Sequence, residues 1–237
     1  MTVPFLAFSK RFVLLPLSAA LLAGCGTLTQ APSELSAQAL AAPVRHPVLF
    51  VHGFNSDGSI WSPMMNRFKQ DGWTDAQLFS WSYDSFKSNA VTADLLRQKV
   101  DAILAQTGAA QVDIVSHSMG ALSSRYYLKN LGGTAKVDAW VSLGGPNHGT
   151  DFALACSTAS CIEMRQGSSF IKALNSGDET PGAVRYATWW SPCDAVINPN
   201  SSVPLSGATN TKTSCLTHSS LYGDATVYTQ VRDFIGR

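Results

Sequence analysis

The chain has 237 residues, a length that fits one domain. Hydrophobic residues make up 45% and charged residues 14%, which excludes a disordered chain and suits a compact core under a weakly charged surface. Lys plus Arg number 17 against 16 Asp plus Glu, a net charge of +1, with no clustered basic patch to suggest a nucleic-acid partner and none expected.

Lys10 and Arg11 precede an apolar run over residues 12–23. A short basic region before an apolar run is the layout of an export signal. The run is too short for a spanning helix, which needs roughly 20 apolar residues. It ends in Leu22-Ala23-Gly24-Cys25, which resembles a bacterial lipobox. The resemblance implies a signal peptide over residues 1–24, cleavage before Cys25 and lipidation of that thiol. The expected location is the cell envelope, on an N-terminal lipid anchor; plain secretion is the alternative. Residues 25–44 are rich in Ala, Ser, Gln, Pro and Thr without periodicity, so they read as a flexible tether. The folded domain is expected over residues 45–237.

Residues 47–51 form a short apolar, β-branched run, as in a fully buried parallel strand, and end at His52-Gly53. Residues 59–70 have helical spacing and break at Gly72. Residues 77–83 read as a second strand. Residues 90–106 read as a helix with Val91, Leu95, Val100, Ile103 and Leu104 along one stripe, stopped by Gly108. Residues 111–115 form another buried strand and lead into Ser116-His117-Ser118-Met119-Gly120. A helix over 121–131, strands over 137–143 and 184–190 and a final helix over 225–235 follow. Between residues 151 and 184 one helical pattern stands out, 169–175. Strands alternating with helices predict an α/β fold with a mostly parallel sheet covered on both faces. Sites in such sheets form beyond the carboxyl ends of the strands.

Four cysteines remain in the domain: Cys156, Cys161, Cys193 and Cys215. Export permits disulfides, and three pairings are open. Cys156 with Cys161 and Cys193 with Cys215 is favoured, because the second pair would tie the segment of Asp194 to that of His218. A zinc site is the weaker reading, since no Cys/His ligand spacing is present. No metal is expected.

The Ser116–Gly120 string, between a strand and a helix, fits a sharp strand-to-helix turn that lifts Ser118 clear of the sheet as a nucleophile. Position 116 is Ser where Gly is common, a departure that keeps a small side chain. His117 is adjacent to Ser118 and so reads as a packing or pocket-lining residue, not its base. Backbone N–H groups of Met119 and Phe54 are the expected oxyanion donors. With the order nucleophile, acid, base, only His148 and His218 can supply the base. His218, on a loop before the last helix, is preferred. Asp194 follows a late strand and is the expected acid; Asp178 and Glu179 precede that strand and read as a solvated turn.

These strings, with Ser142-Leu143-Gly144-Gly145-Pro146-Asn147-His148-Gly149-Thr150, resemble the bacterial class 2 lipase family over about residues 45–237. The resemblance implies an α/β-hydrolase fold and hydrolysis of carboxylic esters, acylglycerols at a lipid–water interface among them. It implies a Ser118-His218-Asp194 triad, an acyl-enzyme and no cofactor. Acyl transfer, thioester or polyester cleavage on the same fold, or a catalytically silent lipid-binding lipoprotein, are the alternatives. The short 151–184 span leaves little room for a lid, so an open site with weak interfacial activation is expected, in a monomer.

Overall fold

The computed structural model describes residues 45–236. The expected signal peptide, Cys25 and the 25–44 segment lie outside the described residues.

Six strands form one parallel sheet: β1 (Val48–Val51), β2 (Leu78–Ser80), β3 (Val112–His117), β4 (Val137–Leu143), β5 (Arg185–Trp190) and β6 (Thr209–Lys212). Their order is β2-β1-β3-β4-β5-β6, and every neighbouring pair is parallel. The two-residue period of a strand sends alternate side chains to opposite faces. Val48 and Phe50 of β1 pack on one face with Met64 and Phe68 of α1 (Ser62–Gln70) and Val227 and Val231 of α6 (Ala225–Ile235). Leu49 and Val51 pack on the other with Leu96 and Val100 of α2 (Asn89–Thr107) and Leu128 of α3 (Gly120–Asn130). Burial on both faces is why β1 reads as a continuous apolar run; β3, buried along its whole length, also carries Asp113, whose Oδ1 accepts from Ala139 N–H. No helix among the described residues is long and apolar enough to cross a membrane.

The structure departs from the expected elements at four places. The buried face of α2 runs through Thr92, Ala93, Leu96, Val100 and Ile103, whereas Val91 and Leu95 are 51% and 41% exposed. Asn89 sets that rotation: its side chain is fully buried, accepting from Ser123 Oγ and donating to Glu163 Oε2. A buried amide with partners on two elements outweighs two marginal aliphatic positions. Strand β2 stops at Ser80, because Tyr83 leaves the sheet to pack on His52. Strand β6, Thr-Asn-Thr-Lys, carries no apolar signal because it is a polar, exposed edge. Finally, the 151–184 span holds two helices, α4 (Ala159–Met164) and α5 (Ser169–Asn175), where one was expected. Helix α4 has six residues, too few to show periodicity; Thr158 caps it, and a Cys156–Cys161 disulfide closes it. The other bridge joins Cys193 to Cys215.

Candidate active site

The strand order reverses at β1, which lies between β2 and β3. A crevice forms beyond the carboxyl ends of strands at such a switch point. Here a cavity of about 320 Å³ opens at the ends of β1 and β3, and Phe54, Ser118 and His218 line it with Phe152, Met164 and Ile197.

Ser118 sits between the last residue of β3 and the first of α3 with φ +53°, a left-handed backbone that a serine adopts only at a cost. Its N–H donates to Leu143 O at 3.0 Å, prolonging the β3–β4 ladder by one residue before the chain turns. Two neighbours let the turn exist. Gly120 is pressed against the backbone of β1: a Cβ there would lie 2.4 Å from His52 O and 2.7 Å from Val51 O. Ser116 is fully buried and donates through Oγ to Val141 O at 2.7 Å, so the hydroxyl that departs from the common glycine is satisfied by the adjacent strand.

The acid and base come from the far side of the sheet. Asp194 follows β5 and is 5% exposed. Its Oδ1 accepts from the N–H groups of Val196 and Ile197 at 2.9 and 3.0 Å, and its Oδ2 lies 2.7 Å from His218 Nδ1. A carboxylate only accepts, so Nδ1 carries a proton and Nε2 is left as the basic nitrogen. The Cys193–Cys215 bridge and the Ser191 hydroxyl join the two loops; that hydroxyl donates to Leu216 O and accepts from Leu216 N–H. Gly144, with φ +56°, passes beneath the pair: a Cβ there would lie 3.1 Å from Asp194 Oδ2 and 3.3 Å from His218 Cε1.

Phe54 lines the same cavity, and Met119 directly follows Ser118 in the turn. Met119 caps α3, and Gly53 packs on the nucleophile, where a Cβ would lie 2.7 Å from Ser118 Cβ. Among the described residues neither N–H donates to a protein acceptor. Two free backbone donors at a helix start and an adjoining turn can receive an anion.

Sequence reasoning missed what holds that turn. Tyr83 N–H donates to His52 Nε2 at 3.3 Å, its hydroxyl donates to His52 O, and its ring stacks on the imidazole at 3.9 Å. With Nε2 accepting, Nδ1 donates to Gly53 O at 2.8 Å. Burial lowers the His52 pKa and so keeps this neutral form, and burial raises that of Tyr83. The contact links residues 31 apart and leaves no spacing signal.

The competing candidates lie elsewhere. His148 bonds to Ser202 O and, at 2.8 Å, to Glu179 Oε1, and Asp178 caps the turn at Thr180. One group of three possible metal ligands occurs among the described residues, His46, Asp113 and Asp138. It lies at the amino ends of β3 and β4, opposite the cavity, and Arg185 already pairs with Asp138 at 2.5 Å. Its charges satisfy one another, so the donor set reads as an ion cluster.

A family model described as Lipase (class 2) matches residues 45–232. Among curated proteins, the chain is similar to a triacylglycerol lipase of Burkholderia plantarii, 30% identical over 143 residues, which is 56% of this chain and 38% of that one. It is also similar to a triacylglycerol lipase of Pseudomonas fragi, 29% identical over 46% of this chain and 37% of that one. The matched part thus spans well under half the length of these relatives. Among solved structures, a Bacillus licheniformis lipase in its mature form matches with a TM-score of 0.69 at 21% identity, covering 81% of this chain and 91% of that one. An Aspergillus fumigatus lipase B matches with a TM-score of 0.69 at 19% identity, over 81% of this chain and 53% of that one. At such identities the likeness concerns the fold, which is the α/β-hydrolase fold.

Proposed function

The chain belongs to the class 2 lipase family, and from that premise we propose that it hydrolyses carboxylic esters of lipid-like substrates, acylglycerols among them, through Ser118, His218 and Asp194. The observation that carries the reading is the Asp194–His218 hydrogen bond at 2.7 Å, in a wall of the cavity onto which the strained Ser118 opens.

His218 Nε2 takes the proton of Ser118 Oγ as the oxygen attacks the ester carbonyl carbon. The carbonyl oxygen becomes an oxyanion and receives the N–H groups of Phe54 and Met119; each such donor is typically worth about 2.7–4 kcal/mol in the transition state. Asp194 holds the imidazole tautomer and steadies the imidazolium. Collapse of the intermediate breaks the bond to the alcohol, which leaves with the proton from His218, while the acyl group stays on Ser118 Oγ. Water then repeats the attack, with His218 again the base, and releases the acid.

The rim supports an apolar substrate. Phe152 and Leu154 are 48% and 67% exposed, and Phe86 meets Phe54 edge-on at 5.2 Å. The short 151–184 span leaves little room for a lid and the Cys156–Cys161 bridge ties part of it, which supports the proposal of an open site whose rate responds weakly to an interface. The disulfides also support export, which we propose ends in a lipid anchor at Cys25. Labelling with a fluorophosphonate, which requires an activated serine, tests the reading: the adduct is expected on the Ser118 peptide. Labelling elsewhere, or none on the folded protein, would overturn it.

A further inference from the structure

The cavity wall holds a second imidazole that no step above uses. His117 ends β3, one residue before Ser118, and turns toward the base. Its Nε2 lies 3.1 Å from the His218 carbonyl oxygen. A carbonyl only accepts, so Nε2 carries the proton and donates. The two imidazoles meet with centroids 4.5 Å apart, and Tyr222 meets the His117 ring edge-on at 4.9 Å. His117 is 5% exposed; burial, then the neighbouring His218, holds its pKa well below the ordinary imidazole value of 6.5, so the ring stays neutral.

From this geometry we propose that His117 is a positioning residue for the base: its N–H holds the main chain of His218, and its ring backs the imidazole. The inference rests on the esterase reading. Asp194 fixes the His218 ring at one atom, Nδ1, about which it can still swing, and the Cys193–Cys215 bridge and the Ser191 hydroxyl tie the chain only as far as Leu216, two residues before it. Thr217, Ser219 and Ser220 around it are exposed and offer little packing. His117 supplies the missing restraint from the main chain. Because it is bonded to Ser118, the nucleophile and a base 100 residues away keep their spacing through a single peptide unit and one hydrogen bond. A neutral ring suits this place. It stands beside the imidazolium that His218 becomes, where a second cation would repel it.

The test compares variants of the full chain on a soluble ester. His117→Gln keeps an amide N–H at about the reach of Nε2; His117→Phe keeps a flat ring and has no donor; Ser118→Ala is the control for the reading itself. His117→Phe is expected to lose about tenfold or more in kcat, as a displaced catalytic group does, with KM within about twofold. His117→Gln is expected to recover most of that loss. The rate of fluorophosphonate labelling should fall in step with kcat. Wild-type kcat in His117→Phe would overturn the inference. So would equal losses in His117→Gln and His117→Phe that track their melting temperatures, since packing alone would then account for them. Should His117→Phe not fold, His117→Leu gives the same comparison. Full turnover by Ser118→Ala would instead strike the esterase reading, whatever the His117 variants do.

Discussion

Asp194 holds His218 by one carboxylate oxygen while its other oxygen is held by two backbone N–H groups, of Val196 and Ile197. The acid is therefore fixed by main chain before it orients the base. Asp194→Asn keeps the size and loses the charge, and its amide offers a donor where Nδ1–H needs an acceptor, favouring the wrong imidazole tautomer. Turnover is expected to fall by about 10³–10⁴-fold with little change in melting temperature. Steady-state kinetics on a soluble ester check this; a loss under tenfold would remove Asp194 from the triad.

Tyr83 reaches the oxyanion turn through His52. Tyr83→Phe keeps the ring stack and the N–H bond to His52 Nε2 but deletes the hydroxyl that donates to His52 O. The turn bearing Phe54 N–H should loosen. We expect kcat to fall by roughly tenfold, less than the 10²–10³ that follows deletion of an oxyanion donor. An unchanged kcat with a lowered melting temperature would show the clamp to be structural only.

The sequence carried the sheet and the order of Ser118, Asp194 and His218 because each of these follows a strand or precedes a helix with a local pattern. Buried β1 shows as an apolar run and β3 as a partly apolar one, and the small residues around Ser118 show as a string. His117 and Tyr83 differ. Their partners lie 101 and 31 residues away, and nothing local marks a ring that contacts a distant backbone carbonyl. The α2 face was misread for a related reason: Asn89 looks like a solvent residue until Ser123 and Glu163 are seen to satisfy it. Polar β6 and six-residue α4 lack any apolar period to read.

The Cys193–Cys215 bridge closes a loop with a sequence separation of 22 between the acid and base segments. A loop of that size is worth about 3 kcal/mol through the unfolded state. Cys193→Ser with Cys215→Ser is expected to lower stability by about that amount and to reduce kcat, because Leu216 and the turn after it would be held by the Ser191 hydroxyl without the bridge. Denaturant unfolding and kinetics with and without a reductant check both parts. Full activity after complete reduction would separate the bridge from the site.

Acid should remove one part of the fold's stability. Burial is the first cause that holds His117 and His52 below the ordinary value of 6.5. An imidazole whose folded-state pKa is lowered contributes stability that is whole above its unfolded value and is lost as pH falls through it. Each can cost up to about 1.36 kcal/mol per pH unit between about pH 6.5 and its folded value. His46 opposes them: Asp113, 3.8 Å from its Nδ1, is the leading cause that raises its pKa, so its contribution is whole in acid and lost as pH rises through the folded value. Asp113, whose pKa burial raises, opposes them as well, so the effect is read on His117 alone, whose contribution to the unfolding free energy is expected to drop from pH 7 to 5. His117→Gln should flatten that slope, measured by urea unfolding at pH 5, 6, 7 and 8. An identical slope in the variant would contradict the burial argument.

The most direct test of the whole account is hydrolysis of p-nitrophenyl esters of increasing acyl length by the purified protein beside Ser118→Ala. The account predicts turnover by the wild type and loss of nearly all of it, on every chain length, in a variant that still melts like the wild type. A folded wild type that turns over none of these esters, or a Ser118→Ala protein that keeps its activity, would contradict it.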